Sequence, residues 1–216
     1  MTGPLIAVVD YGIGNLHSAH KALVRRGADA RLTDDPALIA DAAAVVLPGV
    51  GSFGACMTAL RVRHLEEPVL DATTSGRPFL GICVGMQMLF SASEESPGVT
   101  GLGVVPGVVR WIPGSVKKPQ MQWNVVDVGD RSDPLFAGLD RQPWFYFVHS
   151  LHGVPDDHGA VTATCEYGST LNAAFRIGPV AAVQFHPEKS ASWGLAVLGN
   201  FVGDVARGRV GAVASP

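Results

Sequence analysis

The sequence predicts an α/β fold: an open, mostly parallel central sheet with helices on both faces and an added antiparallel β-rich region. Three observations carry this. Runs that are apolar throughout recur at residues 5–9, 43–47 and 79–82, the pattern of strands buried on both faces. Helical patterns separate them, which supplies the crossovers that parallel strands need. From about residue 104 the chain turns to closely spaced β-rich runs that suit antiparallel hairpins.

Taken in order, Leu5-Ile6-Ala7-Val8-Val9 gives way to Gly12, Gly14 and Asn15, turn residues ahead of a helical pattern over 16–26. The second strand, 43–47, stops at Pro48-Gly49-Val50-Gly51, and a long helix is expected over 54–74. Residues 79–82 are the third strand, and 84–90 the helix after it. Later β runs fall at 104–112, 123–128, 144–148, 161–165, 171–177 and 180–185, and a last helix covers 191–207. No repeat, linker or low-complexity stretch intervenes, so residues 1–207 read as one domain and 208–216 as a flexible tail. In open sheets of this kind sites form beyond the carboxyl ends of strands. Residues 10–15, 48–51 and Cys83 all fall at such ends, which predicts one cleft built from three loops.

Bulk properties narrow the function. The chain is 216 residues long, 47% hydrophobic and 16% charged, with a net charge of −3 and no block of like charge. Such a chain is globular, and neither nucleic acid nor an anionic membrane surface is its expected partner. Cys56, Cys83 and Cys165 are widely spaced and unpaired by any CxxC motif. They fit neither a disulfide framework nor a zinc site, and suit a reducing compartment. No secretory signal is evident, and no apolar stretch reaches the ~20 residues of a bilayer span. The expectation is a cytoplasmic protein with no metal and no cofactor.

Cys83 carries the chemistry. It ends an apolar strand in Gly81-Ile82-Cys83-Val84-Gly85-Met86-Gln87, where glycines on both sides exclude bulk and helix-forming residues follow at once. That is the strained elbow that presents a nucleophile, although a packed, inert thiol remains open on this segment alone. A thiolate needs a base, and the base needs an orienting group. His186-Pro187-Glu188 follows an apolar strand; proline extends the backbone there, so the imidazole and the carboxylate are expected on one face. His149 is the competing base but has no carboxylate two positions away. Pro48-Gly49-Val50-Gly51-Ser52-Phe53-Gly54 is a glycine-rich loop, either a simple turn or a source of backbone N–H groups for a developing oxyanion.

These segments, with Asp10-Tyr11-Gly12-Ile13-Gly14-Asn15-Leu16 and Tyr146-Phe147-Val148-His149-Ser150, resemble the class I (triad) glutamine amidotransferases, flavodoxin-like in fold. Among these they look most like the glutaminase subunits of imidazole glycerol phosphate synthase. The resemblance spans about residues 5–205. It implies that Cys83 attacks the side-chain amide of L-glutamine, that His186 shuttles the proton and that Glu188 orients His186. Oxyanion donors are then the N–H groups of Val84 and of the Gly49-Val50-Gly51 loop. The resemblance also implies Gly49, Gly51, Gln87, Glu95, Ser150 and Leu151 as substrate-binding residues. It further implies a (β/α)8-barrel cyclase partner that receives ammonia, near silence without that partner, and an interface through Asn15, Met121, Trp123 and Lys189. One departure stands out: a segment usually reading P-H-M-G-W-N is here Pro119-Gln120-Met121-Gln122-Trp123-Asn124, with a bulky Gln122 in place of glycine. Rival readings are a glutaminase serving another synthase, a cysteine peptidase, and a non-catalytic binding module.

Overall fold

The computed structural model describes residues 3–14, 16–130 and 132–208. Of the expected 208–216 tail, residues 209–216 lie outside the described residues. The first half alternates β1 (Leu5–Val9), α1 (Leu16–Arg25), β2 (Asp29–Thr33), α2 (Pro36–Asp41), β3 (Ala44–Gly49), α3 (Phe53–Val62), α4 (Glu66–Thr74), β4 (Phe79–Cys83) and α5 (Val84–Met88). Then come β5 (Phe90–Ser93), β6 (Val105–Trp111), β7 (Gln120–Val125), β8 (Asp127–Val128), β9 (Trp144–His149), β10 (Leu151–Pro155), β11 (Val161–Glu166), β12 (Thr170–Ile177), β13 (Val180–Val183) and α6 (Ala191–Ala206).

An eight-stranded sheet of order β2-β1-β3-β4-β13-β12-β11-β8 forms the centre. Its strands from β2 to β13 are parallel, and the β13-β12-β11-β8 side is antiparallel. The expected mostly parallel sheet with antiparallel hairpins added is what forms. Strands β1, β3, β4 and β13 are buried along nearly their whole length, as strands covered on both faces must be. Of the helices, α1 packs with α6 and α2 with α4. Two small sheets, β10-β6-β5 and β7-β9, complete the β-rich region.

The expected 54–74 helix is two helices. Leu65 N–H donates to the Leu60 carbonyl at 3.0 Å and His64 N–H to that of Arg61 at 2.9 Å, while His64 adopts φ 57°. This is a Schellman cap with histidine in the left-handed position usually held by glycine. Burying Leu65 completely is the compensation. The expected 84–90 helix is likewise short: after Met88 the chain turns into β5, whose Phe90 ring packs edge-on against Phe175 at 5.3 Å. Among the described residues no helix is long and apolar enough to cross a membrane.

Candidate active site

The elbow is real in the backbone. Cys83 takes φ 54° and ψ −112°, a strained combination for a residue with a side chain. Its neighbours have no room to be anything but glycine. A methyl group on Gly85 would stand 1.9 Å from the Leu47 carbonyl oxygen, and one on Gly81 would stand 3.0 Å from the Met86 Cα. The turn is thus clamped between β3 and α5, with Cys83 only 3% exposed. Gly49 is the register partner of Cys83, so the Val50-Gly51 loop and Val84 leave the sheet at the level of the sulfur.

Parallel pairing of β4 with β13, in the register Ile82 to Val183, brings His186 to the same end of the sheet. The imidazole is 2% exposed, and its Nδ1–H donates to Glu188 Oε1 at 2.8 Å. Nε2 forms no hydrogen bond and lies within electrostatic reach of Cys83. Burial by itself pulls the imidazole down, but its contacts with Cys83 and with Glu188 outweigh it and lift His186 to about 10. The protonated imidazole beside the sulfur is therefore the favoured state.

The backbone achieves this differently from the extended route expected from Pro187. Pro187–Lys189 is a 3-10 turn, which proline suits because it fixes φ and needs no N–H partner at a helical start. Ser190, fully buried, closes it: its hydroxyl donates to the His186 carbonyl at 2.6 Å and accepts the Tyr146 N–H at 2.9 Å. The His186 N–H in turn donates to the Tyr146 carbonyl at 3.0 Å. Sequence reasoning did not single out Ser190 or Tyr146; a hydroxyl two residues past the carboxylate was the available signal.

Beside the elbow is a cavity of about 150 Å³ lined by Gly51, Gln87, Glu95, Ser150 and Leu151, together with Pro119, Val148 and His149. It is smaller than the roughly 300 Å³ at which drug-sized pockets begin. Gln87 Nε2 donates to the Leu151 carbonyl at 3.3 Å and to Gln184 Oε1 at 3.1 Å, and Gln184 Nε2 donates to Cys83 Sγ at 3.8 Å. Gln184, at 0% exposure, is a further site residue that sequence reasoning missed. Glu95 Oε2 accepts the Phe53 N–H at 2.7 Å, at the start of α3. Gly49 lies behind this wall, buried against Gly85.

His149 has Nδ1 2.7 Å from the Leu151 carbonyl and Nε2 3.0 Å from the Gln120 carboxamide. Burial pushes it down to about 4, opposite in direction to His186, so the ring is neutral. A neutral ring that donates from Nδ1 needs a donor at Nε2. The atom facing Nε2 is Gln120 Oε1, and Gln120 Nε2 has no partner, so a half-turn of the carboxamide would supply that donor.

On the rim, Met121 and Trp123 on β7 are 61% and 43% exposed, and Lys189 is exposed. Asn15 lies outside the described residues. Gln122 is exposed in an unbroken strand, in register with Phe147, and has no left-handed φ.

Comparison with known proteins agrees with this geometry. The family model for class-I glutamine amidotransferases matches residues 7–204. An imidazole glycerol phosphate synthase subunit HisH from Synechococcus elongatus is 50% identical over 215 residues, covering 98% of each chain. One from Syntrophotalea carbinolica is 48% identical over 204 residues, 91% of this chain and 98% of the relative. In fold, the crystal structure of a putative GMP synthase subunit from Thermoplasma acidophilum is similar, with a TM-score of 0.74, 23% identity and 97% coverage of both chains. The chain therefore belongs to the class I glutamine amidotransferase family and, within it, to the HisH subunits.

Proposed function

We infer that this chain hydrolyses L-glutamine to glutamate and ammonia and serves as the glutaminase subunit of imidazole glycerol phosphate synthase. A (β/α)8-barrel cyclase subunit takes up the ammonia to make imidazole glycerol phosphate and an aminoimidazole carboxamide ribotide, in histidine biosynthesis in the cytoplasm. The supporting observation is a buried Nδ1–Oε1 pair of 2.8 Å whose free Nε2 borders a cysteine held at φ 54°.

The chemistry follows from these groups. The Cys83 sulfur attacks the side-chain carbonyl carbon of glutamine, and the tetrahedral oxyanion is met by N–H groups of Val84 and the Gly49-Val50-Gly51 loop. As the carbon–nitrogen bond breaks, His186 delivers its proton to the departing nitrogen, leaving a thioester. Water attacks the thioester, giving its proton to His186, and glutamate leaves as the Cys83 thiolate is restored beside the imidazolium. Glu188 holds the imidazole orientation throughout. Gln87, Glu95 and the Ser150-Leu151 backbone hold the amino-acid end of the substrate. Met121, Trp123 and Lys189 face the partner, the first two being the large apolar anchors such interfaces favour, and the resemblance assigns Asn15 to the same interface.

The test is glutamate release by wild type and by Cys83→Ala, with and without the cyclase subunit and its substrate. Wild-type release that is low alone, rises strongly with partner and vanishes in Cys83→Ala is expected. Equal turnover with and without the partner refutes the coupled reading, and activity surviving in Cys83→Ala refutes the nucleophile.

A further inference from the structure

The sulfur of Cys83 has a polar neighbour that the chemistry above does not use. Gln184 Nε2 donates to it at 3.8 Å, from a side chain in a residue that is 0% exposed. Gln184 lies just past the end of β13, where its N–H still bonds the Ala173 carbonyl at 2.9 Å. The backbone that carries it is thus held by the sheet, two residues ahead of His186.

A carboxamide can face a neighbour with its oxygen or its nitrogen, so the partners decide which atom meets the sulfur. Leu151 settles the matter. A carbonyl oxygen only accepts, so the Gln87 carboxamide, 3.3 Å away, presents nitrogen to it. The same nitrogen lies 3.1 Å from Gln184, which must answer with its oxygen. That leaves the Gln184 nitrogen for the sulfur. Turning Gln184 over would set two NH2 groups face to face, and turning Gln87 over would set its oxygen against two acceptors. Gln87 is only 4% exposed, so water cannot repair either mismatch. The Leu151 carbonyl also accepts from His149 Nδ1, at 2.7 Å, and has lone pairs for both. The relay therefore runs one way, from a carbonyl of the cavity wall through two carboxamides to the sulfur.

A fixed donor favours the charged form of the sulfur, because a thiolate accepts a hydrogen bond better than a thiol does. His186 meets that sulfur with a positive charge; Gln184 adds a neutral donor. We propose that Gln184 is a catalytic residue whose side-chain N–H stabilises the Cys83 thiolate, first as the nucleophile and again as the group expelled from the thioester. No bond is made or broken at Gln184, and it neither gains nor loses a proton. The inference rests on the glutaminase reading and deepens it by one residue outside the triad.

The test compares wild type with Gln184→Met, which keeps the length and loses the donor, and with Gln184→Leu, a second donor-free side chain. The full chain is treated with iodoacetamide, and modification of Cys83 is followed by mass spectrometry across pH. At about pH 7 both variants are expected to react about tenfold more slowly, the low end for a hydrogen bond to a charged group. The gap should close as pH rises, because hydroxide then makes the thiolate without help; a merely structural gap stays open at every pH. With the cyclase subunit present, kcat for glutamine should fall in both variants. Gln184→Leu carries the test if Gln184→Met does not fold. Wild-type alkylation at about pH 7, a gap that pH does not close, or wild-type kcat in the folded variants would each overturn the proposal. A wild type whose Cys83 is alkylated but which releases no glutamate refutes the glutaminase reading instead, so the two failures are distinguishable.

Discussion

His149 makes acid stability a measurable property of a single ring. It is 6% exposed, and burial is the main reason its pKa falls to about 4; the nearby imidazoles of His152 and His186 add to this, while the Leu151 carbonyl opposes it. The folded state thus binds this proton less readily than the unfolded chain, where the ring titrates at its ordinary value of about 6.5. The stability from keeping it neutral is fully present above about pH 6.5 and is lost as pH falls from there to about 4. A drop of roughly 2.5 units, at ~1.36 kcal/mol each, is about 3 kcal/mol. That is a large share of the roughly 5–15 kcal/mol that holds a domain folded. His149→Asn removes the titration while its side-chain amide keeps a donor toward the Leu151 carbonyl. Urea unfolding of both proteins at about pH 7.5 and about pH 4 gives the comparison. Wild type should lose about 3 kcal/mol more than the variant between the two, because carboxylates common to both proteins cancel in the difference. Parallel losses, equal within the extrapolation error, would refute the assignment of a buried neutral ring.

Gly85→Ala places a methyl 1.9 Å from the Leu47 oxygen and 3.1 Å from the Pro48 carbonyl carbon, both backbone, so it should destabilise by more than about 3 kcal/mol in thermal unfolding. Glu188→Gln removes a negative neighbour that, with Cys83, holds His186 protonated up to about 10. The imidazolium is lost as pH rises through that value, so the alkaline limb of kcat/KM should move to lower pH in the variant, and an unmoved limb would count against the pairing. Arg176→Met strips the partner, 2.6 Å away, from an Asp133 carboxylate with no exposed side-chain surface. The uncompensated charge should lower the free energy of unfolding by about 3 kcal/mol in urea.

The parallel half of the fold was legible because its strands are apolar on both faces and need no partner information to be recognised. Strand β2 was not, since Asp29-Ala30-Arg31-Leu32-Thr33 alternates and sits at the sheet edge, where one side stays polar. Helix α2 carried its signals, an Asp35 cap on the Ala37 N–H and proline at the first turn, but spans too few residues for a periodic pattern. The break at His64 has no glycine or proline to mark it; burial of Leu65 decides it, and burial is a tertiary fact. At the site, Cys83, His186 and Glu188 were legible from strand ends and spacing. Gln184 and Ser190 were not, because each acts through a backbone group or sulfur that only the folded register brings near.

Tyr146 stands opposite Trp123 across the β7-β9 ladder, with ring centroids 6.3 Å apart, while its own main chain grips the segment bearing His186 from two sides. The exposed Trp123 and the turn that carries His186 are therefore two edges of a single ribbon. Chimeric proteins built by grafting a foreign hairpin, so as to recognise a different synthase, would carry new proton-transfer behaviour along with new affinity. Such exchanges should be made as the hairpin plus the turn it holds, transplanted together.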